Sequence, residues 1–539
     1  MSVIPSNIDP ASPTFAANRA AMLDLIEQFR ALEEQVRRTS NAKKDQFVKR
    51  GQLLPRERVA LLLDRGSPFL ELSSLAGLAM HDDDGQENVL GGGVIDGIGY
   101  VSGVRCLISA SDSAIKGGTT APMGLKKKLR CQEIALVNKL PLIQLVESGG
   151  ANLNSQAQIF VEGGQTFRNQ ARLSAAGIPQ VTVVHGSSTA GGAYLPGLSD
   201  YVIMVKNRAK VFLAGPPLLR AATGEIAGDE ELGGADMHST VSGVSDYLAE
   251  DDADGIRLCR EVMAKLHWND ALPVQPTRGF REPRYDADEL CGVVPVDYRK
   301  PYDVREVVAR LVDDSDFVEF KALYGVQTVC GEAEVEGRPL GIIGNNGPID
   351  ADGSVKAAQF IQLMCQAGIP ILYLQNTTGY MVGTEAERRG IVKHGSKMIQ
   401  AVANASVPQL TLHIGASFGA GNYGMCGRAY DPRFIFAWPN NRIAVMGGEQ
   451  AAKVLAIITE DRQRRSGRAV DEAQLEAMKR KIIDQFERES TALYATARLW
   501  DDGLIDPRDS RKVLGFCLSI CREAAIRPLN RTSFGVARM

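Results

Sequence analysis

Two stretches of this chain are composed to hold negative charge on an oxygen atom. Pro408 to Met425 reads PQLTLHIGASFGAGNYGM. Its apolar run, Leu410 to Ile414, predicts a buried strand. The run ends in a turn of small residues: Gly415, Ala416, Ser417, Gly419, Ala420, Gly421 and Gly424. With few Cβ atoms in the way, another chemical group can approach such a backbone closely. The first N–H groups of a helix that starts there are unpaired and point outward. Preorganised donors of this kind stabilise a developing oxyanion, and removing one typically costs about 3–4 kcal/mol of barrier. Pro179 to Tyr194, PQVTVVHGSSTAGGAY, repeats the arrangement 229 residues earlier.

The upstream strands repeat as well. LPLIQLVESGGANL matches IPILYLQNTTGYMV, with Pro141 and Pro370, Gly150 and Gly379, and Gly186 and Gly415 all 229 residues apart. Strand, Gly turn, helical stretch, strand and small-residue turn therefore recur in one order, which predicts two halves built on one plan. Two shorter motifs in these turns do not support their usual chemistry. Gly415-Ala416-Ser417-Phe418-Gly419 spells GxSxG, the nucleophile turn of hydrolases. The other half nearly spells it at Gly186 to Ala190, so a repeated backbone turn explains both better than one nucleophile does. Gly419 to Gly424 spells GxGxxG, but the repeat does not keep it and no suitably placed acidic residue lies about 20 positions on. No GxxxxGK[ST] occurs, so the chain itself is not expected to bind ATP.

The elements that must position these turns can be traced along the 539 residues. Met22, Leu25, Ile26, Phe29, Leu32 and Val36 are spaced for one face of a helix over 20–38. GGGVIDGIGYVSGVRCLISAS predicts a β-hairpin. A helix from about Leu125 begins with Lys126, Lys127, Lys128 and Arg130, either a solvated face or a contact for the phosphates of an anionic cofactor. Residues 271–301 carry five prolines (273, 276, 283, 295, 301) and many charges, which predicts a linker between a domain over 20–270 and another over 302–530. The second half opens with a helix in YDVREVVARLVD and a second hairpin, and closes with a long helix from Asp471 to Arg498. A net charge of −3 gives no pull toward nucleic acid or membrane, and no apolar run approaches the roughly 18 residues of a spanning helix. The N-terminus lacks a basic start followed by an apolar core, so no secretory signal is expected. Nine scattered cysteines with no CxxC fit free thiols in a reducing cytoplasm. Six histidines (His81, His185, His238, His267, His394, His413) form no HxxxH or HExxH pattern, so no metal site is expected.

With these motifs in view, the chain resembles the carboxyltransferase β subunits of biotin-dependent acyl-CoA carboxylases. The resemblance spans roughly residues 20 to 525. In the first half it rests on VSGVRCLISASDSAIKGGT, KKKLRCQEIAL, ESGGANL, GSSTAGGAYLPGLSD and FLAGPPLLRAATGEIAGDEELGGADMH. In the second it rests on GIIGNNGPI, QNTTGYMVGTEAERRGIVKHGSKM, GASFGAGNYGMCGRAYDPRFIFAWPNNRIAVMGGEQAA and LWDDGLIDPRDSR. It implies an α/β fold of two tandem crotonase-like domains (ββα superhelices) related by duplication. It also implies transfer of CO2 from carboxybiotin to an acyl-CoA, with the acyl-CoA in the first domain and biotin in the second domain of a neighbouring subunit. Ala190 and Gly191 are then expected at the thioester enolate oxygen, and Ala420 and Gly421 at the biotin ureido oxygen. The repeat itself pairs Ala190 with Gly419, one residue before the second pair. Gly117, Gly118, Thr119, Thr120, Gly149, Gly150, Gly163 and Gly192 are the expected acyl-CoA contacts, and Thr377, Thr378, Gly379 and Gly419 the biotin contacts. The chain carries no biotin-attachment Met-Lys-Met, so a biotin carboxylase and biotin-carrier α subunit is the expected partner of a homo-oligomeric, hexameric core.

Within that family the motifs resemble the methylcrotonyl-CoA/geranyl-CoA branch. The methylcrotonyl type commonly has two tyrosines after KGGT, where this chain has Thr120, Ala121 and Pro122. It also carries a bulky Phe in the helix before FxNQ, where this chain has Gly163. Losing a Phe removes a side chain that buries some ~150 Å2 or more. A glycine inside a helix costs about 1 kcal/mol relative to Ala, so the Gly163-Gly164 pair fits a site where space is wanted. A deeper pocket implies a longer branched substrate, geranyl-CoA, carboxylated on the β-methyl (γ) carbon. 3-Methylcrotonyl-CoA is the alternative. A hydratase or isomerase of the same fold would need one domain and a carboxylate beside the turn. A non-catalytic binder would not need both turns intact.

Overall fold

A computed structural model describes residues 3–80, 90–274, 279–466 and 471–532; His81 and Pro276 lie outside them. Contacts divide the chain into two compact units. One comprises Met1–Arg30, Pro276–Thr496 and Trp500–Ser519, the other Ala31–Gln275, Ala497–Leu499 and Ile520–Met539. Each half of the sequence therefore takes in a segment from the opposite end of the chain, which the contiguous spans 20–270 and 302–530 do not describe.

The unit built on the first half has an eight-stranded sheet. Its strands are β1 (Leu70–Leu72), β2 (Val94–Val101), β3 (Val104–Ser111), β4 (Leu142–Ser148), β5 (Gln180–Thr189), β6 (Tyr201–Val205), β7 (Lys210–Phe212) and β8 (Tyr247–Ala249). The order is β1-β2-β3-β4-β5-β6-β8, with β7 on the far end of β5. β1 to β3 pair antiparallel, and every pairing from β3 onward is parallel. The other unit repeats the plan with β9 (Val318–Phe320), β10 (Thr328–Val335), β11 (Arg338–Asn345), β12 (Ile371–Thr377), β13 (Gln409–Phe418), β14 (Phe434–Ala437) and β15 (Arg442–Ala444). Its order is β14-β13-β12-β11-β10-β9, with β15 on the end of β13. The α/β class and the duplication expected from the sequence are both present.

Both expected hairpins form, each closed by a two-residue turn. Ser102 and Gly103 join β2 to β3, and Glu336 and Gly337 join β10 to β11, all four with positive φ. This handedness matches the twist of the flanking strands. A single carboxylate holds both N–H groups of each turn. Asp64 accepts from Ser102 and Gly103 at 2.9 and 2.7 Å, and Asp313 accepts from Glu336 and Gly337 at 2.9 and 2.7 Å.

Central strands buried on both faces read as apolar runs, as parallel sheets require. Ile108, Ile143, Val181, Val183 and Ile203 pack with Ile256, Cys259 and Met263 of the helix Asp252–Lys265 in one core. In the other, Ile343, Ile371 and Tyr373 pack with Phe360 and Met364 of the helix Ala351–Ala367 and with Met398 and Val402 of the helix Ile391–Ala403. Full burial of each such aliphatic side chain contributes about 1.5–3 kcal/mol.

Three local expectations change. The expected helix over 20–38 is longer, Pro13–Asn41, with Met22, Ile26, Phe29 and Val36 buried as spaced. The helix expected over 471–498 is Glu472–Glu489 followed by Ala492–Ala497, because Thr491 Oγ1 accepts from Tyr494 N–H at 3.2 Å and so starts a new helix. The linker expected over 271–301 is not a plain tether: Leu290, Cys291, Val293 and Val294 are buried, and the Tyr298 ring meets the edge of Phe418 at 5.1 Å.

The segment Trp500–Ile505 lies along β14, with Ala437 N–H donating to the Gly503 carbonyl and Ile505 N–H to the Ala437 carbonyl. Within it Asp501 is buried and accepts from Gly503 N–H at 3.0 Å. Burial, reinforced by the charge of Asp502, pushes its carboxyl up to about 7. A raised carboxyl keeps a proton in the fold that the unfolded chain releases near pH 4, so this stability is full below that pH and lost as pH rises through 7. The stability of Asp501→Asn relative to wild type is expected to shift in favour of the variant by about 3–4 kcal/mol between pH 4 and pH 8. Chemical denaturation at the two pH values measures it, and an unchanging gap contradicts the assignment.

Candidate active site at the two small-residue turns

Each turn is placed by the same irregularity. In the first sheet Val146 pairs with Val184, but two residues on Ser148 pairs with Ser188, so β5 gains two residues within His185–Ser187. In the second sheet Gln375 pairs with His413 and Thr377 with Ser417, so β13 gains two within Ile414–Ala416. Beyond each bulge the strand leaves its first neighbour and pairs with β7 or β15 instead. Bulges of this kind bend a strand and re-aim the residues beyond the bend. They also strand backbone carbonyls, which here find side-chain amides: Gln52 Nε2 donates to the His185 carbonyl and Asn440 Nδ2 to the Ile414 carbonyl, both at 3.1 Å. Glycine is required inside each bulge. A Cβ on Gly186 would lie within 2.8 Å of the Glu147 side chain, and one on Gly415 would collide with the Asn376 amide.

The turns open immediately afterwards. Ala190 and Gly419, 229 residues apart, both take positive φ, 53° and 56°. By strand register Gly191 then corresponds to Ala420, and Gly192 to Gly421. Among the described residues the N–H groups of Ala190, Gly191 and Gly192 donate to no protein acceptor, and neither do those of Ala420 and Gly421. Gly419 differs, because its N–H donates to the Ala444 carbonyl at 2.9 Å. The second turn thus keeps the Ala420 and Gly421 pair free, while the first keeps Ala190 and Gly191 free with Gly192 beside them. Ala190, Gly191 and Ala420 face outward, so an incoming oxygen can reach them.

Two loops complete each site. Gly150 N–H donates to Ser148 Oγ at 3.2 Å, and Gly379 N–H to Thr377 Oγ1 at 3.2 Å. Thr120 N–H donates to the Gly150 carbonyl at 2.8 Å and Gly149 N–H to the Gly117 carbonyl at 3.2 Å, lacing the KGGTT loop to the end of β4. Any Cβ on Gly118 would strike the Glu147 carbonyl. Gly117, Gly118, Thr119, Thr120, Gly149, Gly150 and Gly192 are thereby gathered around the first turn. In the second, a Cβ on Gly421 would lie 2.9 Å from Gly379 Cα and from Thr377 Cγ2, so those three pack together beside Gly419. Thr378 is exposed.

Gly163 lies in the helix Gln156–Ala175, one turn before Phe167 on the same face. The Phe167 ring reaches 3.6 Å from where a Gly191 Cβ would stand and pairs with Tyr194 at 5.3 Å between centroids. This aromatic pair flanks the first turn, and nothing in its sequence spacing pointed to it. A Cβ on Gly163 would meet only Ile159 Cγ2, at 3.9 Å.

Two side-chain networks brace the turns. His185 is fully buried with Nδ1 2.9 Å from Asp252, and Arg58 bridges Asp252 and Glu147 at 2.9 and 2.7 Å. Burial first, and then the Arg58 charge, lower the His185 pKa. This His–carboxylate pair has no signature in sequence spacing, because Asp252 lies 67 positions beyond His185. With no exposure the ring cannot meet a substrate, so the pair is structural. In the second half Ser417 Oγ donates to Gln375 Oε1 at 2.5 Å, Asn422 Nδ2 donates to Ser417 Oγ at 2.7 Å, and Gln375 Nε2 donates to the Met425 carbonyl at 2.6 Å. Burial pushes His413 down to about 4, leaving it neutral at ordinary pH. The basic start of the helix Pro122–Asn138 also turns inward in part: Lys127 is 1% exposed and donates to the carbonyls of Gly91 and Val94, and Arg130 is buried beside Glu133. Among the described residues no group of side chains could hold a metal ion, and no helix is long and apolar enough to cross a membrane.

A duplicated α/β sheet that offers one outward pair of backbone donors per half defines a protein of acyl-transfer type, with oxyanion sites in place of a side-chain nucleophile. The chain belongs to the carboxyl transferase domain family, whose model matches residues 46–533. It superposes on the crystal structure of the P. aeruginosa geranyl-CoA carboxylase β subunit with a TM-score of 0.94 and 60% identity, each chain covered in full. It is 49% identical to a probable mitochondrial methylcrotonoyl-CoA carboxylase β chain of Drosophila melanogaster, over 100% of this chain and 95% of the relative. It is 52% identical to the biotin-dependent 3-methylcrotonyl-coenzyme A carboxylase β1 subunit of Mycobacterium tuberculosis, over 91% of this chain and 92% of that one.

Ser417 is the residue on which a hydrolase reading would stand, yet it is fully buried and committed to Gln375 and Asn422. Ser417→Ala is expected to keep turnover within about tenfold of wild type. Loss of a true nucleophile costs on the order of 10^6 in kcat, and a steady-state assay separates the two.

Proposed function

We propose that this chain is the carboxyltransferase subunit of a biotin-dependent carboxylase acting on the γ carbon of a branched α,β-unsaturated acyl-CoA, geranyl-CoA. The N–H groups of Ala190 and Gly191 hold the thioester oxygen as it gains charge, with Gly192 adjacent. Those of Ala420 and Gly421 hold the ureido oxygen. The engagement of Gly419 N–H by Ala444 supports that second pair. Gly117, Gly118, Thr119, Thr120, Gly149 and Gly150 line the thioester, and Thr377, Thr378, Gly379 and Gly419 line the biotin. Biotin supplies the carboxyl group and arrives on an α subunit that loads it with ATP. The small-residue cradle of Gly379 and Gly421 leaves room for it. No metal takes part. The N-terminal domain, 20–270, takes the acyl-CoA, the C-terminal domain, 302–530, takes biotin, and the working enzyme is a cytoplasmic assembly around a hexameric core of this chain.

The observation that carries the choice of substrate is Gly163. It stands on the helix face that leads to Phe167 and the first turn, with space in front of it. The 60% identity to a geranyl-CoA carboxylase β subunit, against 49% and 52% for the methylcrotonyl relatives, supports the same choice. Bicarbonate-dependent carboxylation, reconstituted with the biotinylated partner, tests it. Wild type is expected to carboxylate geranyl-CoA. Gly163→Phe is expected to lose at least about 100-fold on geranyl-CoA, as an occupied pocket demands, and to retain 3-methylcrotonyl-CoA. Turnover of 3-methylcrotonyl-CoA alone by wild type returns the chain to the short-branched substrate.

A further inference from the structure

The KGGTT loop has a second face. On the side away from the turn, a cavity of about 330 Å3 is lined by Lys43, Gln46, Phe47, Arg50, Lys116 and Gly117 among others, and no carboxylate lines it. Lys43 and Arg50 come from the segment around the helix Lys44–Lys49 and are exposed. Neighbouring Lys44 lies 3.7 Å from Glu57, whereas Lys43, Arg50 and Lys116 take part in no ion pair among the described residues. Three unneutralised cations around one hollow make a local positive potential that attracts an anion of matching size.

The loop backbone aims Lys116 there. Lys116, Gly117 and Gly118 all take positive φ, 45°, 63° and 69°, a conformation that a lysine adopts only when its surroundings hold it. The coil is closed by Gly118 N–H to the Ile115 carbonyl and Thr119 N–H to the Lys116 carbonyl. Its other end, Thr119 and Thr120, is laced to Gly149 and Gly150 beside the oxyanion turn. Five residues therefore connect the basic hollow to the reactive backbone, a separation of no more than about 17 Å of chain.

We infer that the hollow formed by Lys43, Arg50 and Lys116 binds the nucleotide phosphates of the acyl-CoA, while the thioester lies at Ala190 and Gly191. The inference rests on the proposed thioester site. It gives the phosphates a place that the inward-turned Lys127 and Arg130 cannot provide.

Calorimetric titration of the full chain with CoA and with pantetheine, which lacks the nucleotide, tests it. Wild type is expected to bind CoA at least tenfold more tightly than pantetheine. Lys43→Ala/Arg50→Ala is expected to lose that preference with an unchanged melting temperature, since both side chains are on the surface. Lys43→Arg/Arg50→Lys, which keeps the charge, is expected to preserve it, as is Lys126→Ala, which removes an exposed charge outside the hollow. CoA binding that is tight in wild type and unaltered in the double alanine variant overturns this inference and leaves the thioester site standing. Failure of wild type to bind CoA overturns both.

Discussion

Both sites depend on two extra residues in one strand of each sheet. A parallel strand in regular register continues beside its neighbour and offers no free N–H. The surplus within His185–Ser187 of β5, and within Ile414–Ala416 of β13, breaks that register shortly before the strand ends. The strand end swings to a different partner, and the turn beyond it meets no strand at all. Its N–H groups are left over because of the bulge. The cost is a pair of stranded carbonyls in a dry interior, where an unmet hydrogen-bond partner costs about 1–3 kcal/mol. Gln52 and Asn440 meet that demand at the same distance, although they come from unrelated parts of the sequence.

The halves then stiffen their turns by different chemistry. Around β5 the supports are charged: Arg58 between Glu147 and Asp252, with His185 against Asp252. Removing one member would strand a buried charge, which typically costs about 3–5 kcal/mol. Around β13 the supports are neutral, with Gln375, Ser417 and Asn422 in one chain of hydrogen bonds. A neutral brace places no permanent charge behind its turn, whereas the charged brace adds a field of its own. Similar backbones can therefore present different electrostatic environments to their ligands, which a duplicated site serving two unlike substrates needs.

The duplication, the sheet class and the turns themselves were legible because they depend on local composition: apolar runs, small residues and a spacing that repeats. The KGGTT loop was legible as a motif. Its lacing to Gly149 and Gly150 was not, since that is made by backbone groups. His185 reads as an ordinary core residue until Asp252 is brought to it, and Lys127 reads as a surface cation until its ammonium is seen on the carbonyls of Gly91 and Val94. Hydrophobic periodicity separates apolar from polar faces but assigns every lysine to water, so a lysine that caps buried carbonyls escapes it. The break at Thr491 escapes it too, because the helix faces on both sides of the break keep their spacing while one hydroxyl resets the hydrogen bonding.

Selectivity must then come from the surroundings of two closely similar turns. Beside the first stand Phe167 and Tyr194, with Gly163 one helical turn back. Beside the second, Tyr298 meets Phe418, the residue that ends β13. The donors are main-chain atoms, so no side-chain substitution deletes them, and drift in the flanking residues alters which acyl group fits without dismantling the oxyanion geometry. Such an arrangement lets relatives sharing about half their residues keep one reaction and differ in substrate. A single glycine on the helix Gln156–Ala175 is then sufficient to lengthen the pocket, because a large side chain at that position would project into the space that only Ile159 Cγ2 now approaches.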